Sequence, residues 1–141
     1  MKQTEKRGKR NKIGGIGEEI AVRYLKNQGF TVLEQNYLKK WGEIDIVAHE
    51  TLKNTKIVRF IEVKTVSYET KMDLQIAISR GTHRPEENVH YAKIQRLNRA
   101  IESWMMEKGY DGEWEIDVIA VRVVPREKYA TVRYIKNVIF G

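Results

Sequence analysis

Apolar positions first recur at helical spacing, with Ile16, Ile20, Ala21, Val22, Tyr24 and Leu25 forming one broad arc before Gly29 stops the run. Three strand-like segments follow: Thr31–Leu38, Glu43–His49 with acidic and apolar residues alternating, and Lys56–Thr65, rich in β-branched and aromatic residues. Trp41-Gly42 and Lys53-Asn54 mark the turns between them. Residues 66–89 are polar, contain Gly81 and Pro85, and are long for a connection, with room for a short helix over Asp73–Ser79. From about Asn88 or His90 to Lys108 the helical period returns in Ile94, Leu97, Ile101, Trp104 and Met105, closed by Gly109. Glu113–Val123, ending at Pro125, and Thr131–Phe140 read as two further strands. The order helix, three strands, helix, two strands predicts an α/β fold with a mixed central sheet flanked by helices. Short connections make the first three strands antiparallel neighbours, and a strand reached through the second helix can return parallel. Trp104 and Trp114 are expected in the core, and Trp41 as a cap on the sheet.

Length and charge narrow the picture. A chain of 141 residues with 41% hydrophobic and 32% charged residues fits one soluble domain. No apolar stretch approaches the roughly 18 residues of a membrane span, and the N-terminus lacks the apolar run of a signal peptide. The expected location is cytoplasmic, with no membrane partner. The absence of cysteine excludes disulfides and thiolate zinc sites but leaves open a hard-metal site of oxygen ligands. The net charge of +7 is concentrated at the start, where Lys2, Lys6, Arg7, Lys9, Arg10 and Lys12 stand against Glu5 alone. Residues 1–12 therefore read as a basic, flexible arm that attracts polyanions, ahead of a single domain over 13–141. A solubilising tail explains the same residues equally well.

Candidate chemistry sits on the second and third strands. Alternation puts Glu43, Asp45 and Val47 on one face, with Ile44, Ile46 and Ala48 on the other. Glu62 and Lys64 share a face of the third strand, so a hairpin brings Asp45 near Glu62. Two carboxylates there repel unless a proton or cation bridges them. Magnesium (or manganese) suits the pair, because it takes few protein carboxylates and leaves positions for water and phosphate. Lys64 is then placed to orient the attacking water or to stabilise the charged intermediate. Taken alone, Glu62-Val63-Lys64 is also what a solvated strand face commonly carries. Glu18 strengthens the chemical reading: it falls inside the apolar arc of the first helix, where an unpaired carboxylate is costly. Metal, its water shell or Lys64 would partner it, and a helix N-terminal cap is the alternative. Lys93, Arg96 and Arg99 line one side of the second helix and could track a phosphate backbone, as Lys6, Arg7, Lys9 and Arg10 of the arm could. A solvated helix face fits them equally well. His83-Arg84 is a further, weaker candidate for DNA contact.

Gly17-Glu18-x-x-Ala21, Leu25, Gly29-Phe30, Leu33 and Asn36, then Gly42–Ala48 and Phe60–Lys64, together resemble the YraN-like family of bacterial proteins, related to Holliday-junction resolvases. Lys93, Leu97, Ala100 and Ile116–Ala120 extend the likeness over nearly all of the chain after the arm. The resemblance implies a restriction-endonuclease-like or resolvase-like core of the PD-(D/E)xK superfamily. It implies Glu18, Asp45, Glu62 and Lys64 as catalytic residues, Asp45 and Glu62 as ligands of Mg2+ or Mn2+, and recurrent positions without an assigned role at Glu43 and Asp117. The implied partner is nucleic acid, DNA with branched structures among the candidates, and the implied assembly a homodimer. The expected activity is metal-dependent, structure-selective DNA cleavage. A non-catalytic nucleic-acid-binding module and a protein-interaction subunit are the alternatives. Ile44 replaces the proline of the superfamily signature, Thr65-Val66 follows Lys64 where a basic residue usually falls, and Glu115 stands where arginine is frequent.

Overall fold

A computed structural model describes residues 2–81 and 91–138, with side chains for 12–81 and 92–138. Helix α1 spans Lys2–Asn27, so its bounds take in the basic segment from Lys2 to Lys12. The side chains of Lys6, Arg7, Lys9 and Arg10 lie outside the described residues. Strands β1 (Thr31–Lys39), β2 (Gly42–Leu52) and β3 (Thr55–Ser67) follow as antiparallel neighbours. The β2–β3 turn places Lys53 and Asn54 at φ of 50° and 68°, which matches the right-handed twist of the flanking strands.

The polar stretch after β3 contains helix α2 (Lys71–Arg80). Thr70 caps it by accepting from the Asp73 N–H at 3.0 Å, and Gly81 ends it at φ 66°. Residues 82–90, with His83 and Arg84, lie outside the described residues. Helix α3 (Tyr91–Lys108) leads to β4 (Glu113–Val124), which pairs parallel to β3. A 3-10 turn at Pro125–Glu127 returns the chain as β5 (Tyr129–Ile135), antiparallel to β4. The sheet order is β1-β2-β3-β4-β5, mostly antiparallel and open. Among the described residues no helix is long and apolar enough to cross a membrane.

Each face of the sheet has its own core. On one, Ala21, Val22 and Leu25 of α1 pack on Ile46, Ala48, Ile61, Ile119 and Val121. On the other, Leu97, Ala100, Ile101 and Trp104 of α3 pack on Ile44, Val47, Val58 and Phe60. Trp104 is core as expected, but Trp114 is 41% exposed. It stands edge-on to Phe60 at the start of β4, beyond the last turn of α3, so part of its ring faces solvent. Trp41 bridges its turn to α3, its indole N–H donating to Ser103 Oγ at 2.5 Å.

Two glycines set how closely the helices approach. A Cβ at Gly17 would lie 1.9 Å from Thr65 Oγ1 on β3, and one at Gly42 would lie 1.9 Å from the Arg96 carbonyl oxygen. The first brings α1 onto β3 immediately before Glu18, and the second seats α3 on the start of β2, three residues before Asp45. Gly42→Ala must push helix backbone aside, and is expected to cost about 1–3 kcal/mol. Urea unfolding should show a lower midpoint with an unchanged slope; an unchanged midpoint would refute the close approach.

Candidate active site

Asp45 stands where the sheet opens. The β2–β3 ladder is regular from Leu52↔Thr55 to Ile46↔Ile61 and goes no further. At the next step a side chain meets β3: Asp45 Oδ2 accepts the Val63 N–H at 2.8 Å. On the flanking strand, Asn36 lies between the pairs Gln35↔Ile46 and Tyr37↔Ile44 and takes φ 53°. This irregularity overturns the simple alternation expected for β2. Ile44 and Val47 lie in the α3-side core while Ile46 and Ala48 lie in the α1-side core. Asp45 therefore does not share a regular face with Val47; the twist at Asn36 and the end of pairing to β3 release it into the gap.

Glu62 is 3% exposed and meets two ammonium groups at one oxygen. Lys93, reaching down from α3, is ion-paired to Glu62 Oε1, and Lys64 Nζ lies 3.4 Å from the same atom. Burial lowers the Lys64 pKa, and the neighbouring Lys93 lowers it further. Burial opposes the charge on Lys93 too, but its contacts with Glu62 raise it overall. Glu18 is half-buried directly after Gly17, well inside α1, so it is not the helix N-terminal cap that the sequence also allowed. Burial raises its pKa, a hydrogen bond from Asn36 opposes this, and the charges of Glu43 and Glu62 add to it. Burial, then the charge of Glu62, push Asp45 up to about 8; the Val63 N–H pulls the other way. Glu18, Asp45, Glu62 and Lys64 thus lie close enough to act on one another's charge.

Asn36 and the Glu62 contact of Lys93 were not legible as parts of this group. An asparagine inside a strand pattern was the available signal, because Asn tolerates the left-handed conformation. Glu43 is exposed and acts on the group only through its charge. Arg96 and Arg99 are exposed on α3, outside the carboxylate cluster. Asp117 belongs elsewhere. Fully buried, it accepts from Arg59 Nη1 at 3.1 Å and from the Asn137 N–H at 2.8 Å, and Tyr134 donates to it from the α1 side of the sheet.

The raised Asp45 pKa carries a stability consequence. The unfolded chain releases this proton near pH 4 and the folded chain near pH 8, so the folded state binds more protons in that interval. Metal-free stability should fall as pH rises from about 4 to about 8. Asp45→Asn keeps an acceptor for Val63 and removes the charge. It is expected to be roughly 1–3 kcal/mol more stable than the parent at pH 8 in chelator, the advantage shrinking toward pH 4. Equal denaturation midpoints across that range would show that Asp45 carries no strain.

Residues 17–121 match the model of the family described as Uncharacterised protein family UPF0102. A UPF0102 protein of Alkaliphilus oremlandii is 36% identical over 129 residues, covering 89% of this chain and 96% of its own length. The chain belongs to the UPF0102 family. This is the family to which the YraN-like blocks pointed. A UPF0102 protein of Campylobacter fetus is 33% identical over 130 residues, with 91% and 94% covered. One from Mycobacterium ulcerans is 33% identical over 117 residues, with 81% and 84% covered. The UPF0102 match begins at Gly17 and ends at Val121, so it contains every member of the carboxylate–lysine group and excludes the basic segment before it.

Among the described residues, no group of three or more acids or histidines is placed to hold a metal. The fit is to a cation that needs only two. Asp45 and Glu62 offer hard oxygen donors, and burial together with the charge of Glu62 keeps the Asp45 proton bound against the pull of Lys93. A two-carboxylate donor set beside an open cleft is what magnesium accepts, water and phosphate completing its shell.

Proposed function

We propose that this protein is a magnesium-dependent, structure-selective DNA endonuclease with a resolvase-like core. The observation that carries the reading is the convergence of Asp45, Lys64 and Glu18 on one cleft, with Glu62 buried directly behind Lys64. Magnesium held by Asp45 and Glu62 would neutralise charge on the phosphate and lower the pKa of a bound water. Asp45 is held for that task by the Val63 N–H, and Glu62 by burial between Lys64 and Lys93. The lowered pKa of Lys64 suits a group that gives or takes a proton at the attacking water, and its charged form suits the phosphate. Glu18, with its proton affinity raised, can orient that water from the α1 side. Arg96 and Arg99, with the basic residues of 1–12, would engage flanking phosphates, and a homodimer would cut two strands of a branched DNA.

Manganese titrated calorimetrically into the parent and into Asp45→Ala/Glu62→Ala, with DNA present, tests the reading. Heat of binding in the parent and none in the variant is expected. No metal binding by the parent would instead favour a nucleic-acid-binding module that does not cut. Either form should lose DNA affinity steeply with salt, and removing residues 1–12 should flatten the slope.

A further inference from the structure

The cleft that holds Asp45 and Lys64 is far larger than an ion and a phosphate require. It measures about 890 Å3, toward the upper end of the roughly 300–1,000 Å3 of ligand-sized pockets. Glu18, Asp45, Lys64 and Lys93 form only part of its lining. The remainder, the outer cleft, is walled by Ile13 and Ile16 of α1, Val66 at the end of β3, Tyr68, and Pro125 after β4. Lys12 and Arg126 stand at its edge, the latter 3.7 Å from Glu69, which offsets part of its charge.

Ile16 is the telling residue. It lies on the apolar arc of α1, yet it is 38% exposed while Ala21, Val22 and Leu25 on the same helix are buried. Apolar surface is thus withheld from the core and presented to the cleft beside the reacting groups. A paired duplex would gain little from it, since the faces of its bases are stacked inside and only their edges, the sugars and the phosphates meet a protein. An unpaired nucleotide has an exposed aromatic face that needs burial and a phosphate that needs a cation, and proteins that hold single strands pair apolar or aromatic walls with basic edges.

We propose that the outer cleft binds an unpaired nucleotide, its base against Ile16 and Tyr68 and its phosphates toward Lys12 and Lys64. Resting on the endonuclease reading, this names the substrate class: DNA with a single-stranded segment, such as a flap or fork, at the point of cleavage.

The probe is a forked DNA carrying 2-aminopurine in its unpaired arm, with the same base in a fully paired duplex as control. Full-length protein is titrated in calcium instead of magnesium, and both anisotropy and 2-aminopurine emission are read. The fork should bind about tenfold more tightly than the duplex, the scale of one base stacked on an aromatic side chain, and its emission should change on binding. Tyr68→Ala and Ile16→Ser should each remove most of that preference and leave duplex affinity unchanged. Ile16 is exposed, so its variant keeps the test intact if Tyr68→Ala does not fold. Equal affinity for fork and duplex, no binding to either, or a preference that survives both substitutions overturns the proposal. If the fork preference fails but magnesium-dependent cleavage requires Asp45 and Glu62, the endonuclease reading stands without the cleft. If the preference holds and no DNA is cut, the cleft stands and the endonuclease reading falls.

Discussion

Asp45→Ala and Glu62→Ala are each expected to reduce magnesium-dependent DNA cleavage by on the order of 1,000-fold or more, equivalent to about 4 kcal/mol of transition-state stabilisation. The two residues are not redundant. Asp45 reaches its position through the Val63 N–H at the edge of the β2–β3 ladder, whereas Glu62 belongs to β3 itself. Losing either leaves one carboxylate, too few to fix a cation between strand and phosphate. Lys64→Ala should also lower turnover steeply while leaving manganese affinity near that of the parent, because Lys64 is a neighbour of the proposed ligand pair and not a member of it. Fold loss does not explain these effects if Asp45→Ala unfolds no earlier than the parent at pH 8, since that substitution also removes a strained charge. Cleavage rates of forked and four-way DNA under single turnover, read beside urea midpoints, separate the two. Parent-like cleavage by either carboxylate variant would remove the site from the reaction.

The proximity of Asp45 to Glu62 was legible because it needed only two strands, a short turn and the acid positions. The way Asp45 arrives there was not legible. Regular alternation puts it beside Val47, and only the positive φ at Asn36 and the early end of β2–β3 pairing send it into the gap. Irregular pairing leaves little trace in hydrophobic period, since Ile44 and Ile46 remain apolar on whichever face they fall. Glu18 was legible as a carboxylate out of place on an apolar arc, and it is half-buried next to Asn36. Lys93 was read as a phosphate contact on a helix face; the crossing of α3 over β2, seated at Gly42, brings it down to Glu62. That geometry is tertiary and has no local signal. Helix α2 showed only as a short option in a polar stretch, because three of its five apolar residues, Met72, Ile76 and Ile78, are exposed instead of marking a buried stripe.

Asp117→Ala should be the most destabilising single substitution in the described sheet, at about 3–5 kcal/mol. Arg59 is 3% exposed and Asp117 fully buried, so each charge depends on its partners to remain out of water. Arg59 Nη1 reaches both Asp117 and Glu115, the latter at 2.6 Å, and its Nε donates to Glu50 at 2.6 Å. Asp117 in turn collects Tyr134 and the Asn137 N–H, fastening the end of β5 to β4. Removing Asp117 takes from the guanidinium its one fully buried partner, leaving it Glu50 and Glu115, and leaves the Tyr134 phenol and a main-chain N–H without their acceptor. Replacing the pair together, as Arg59→Met/Asp117→Leu, should cost less than Asp117→Ala, since no buried positive charge then faces an empty place. Urea unfolding of the two variants decides this, and a double variant less stable than the single would show that the ions add net stability to the fold. The network matters to the candidate site through register. Asp117 is paired with Ile61, so the strand it holds against β4 is the one that carries Glu62 at the very next position. Manganese binding by Asp117→Ala, measured where the variant remains folded, should therefore weaken without vanishing: the ligands are intact and only their footing has loosened.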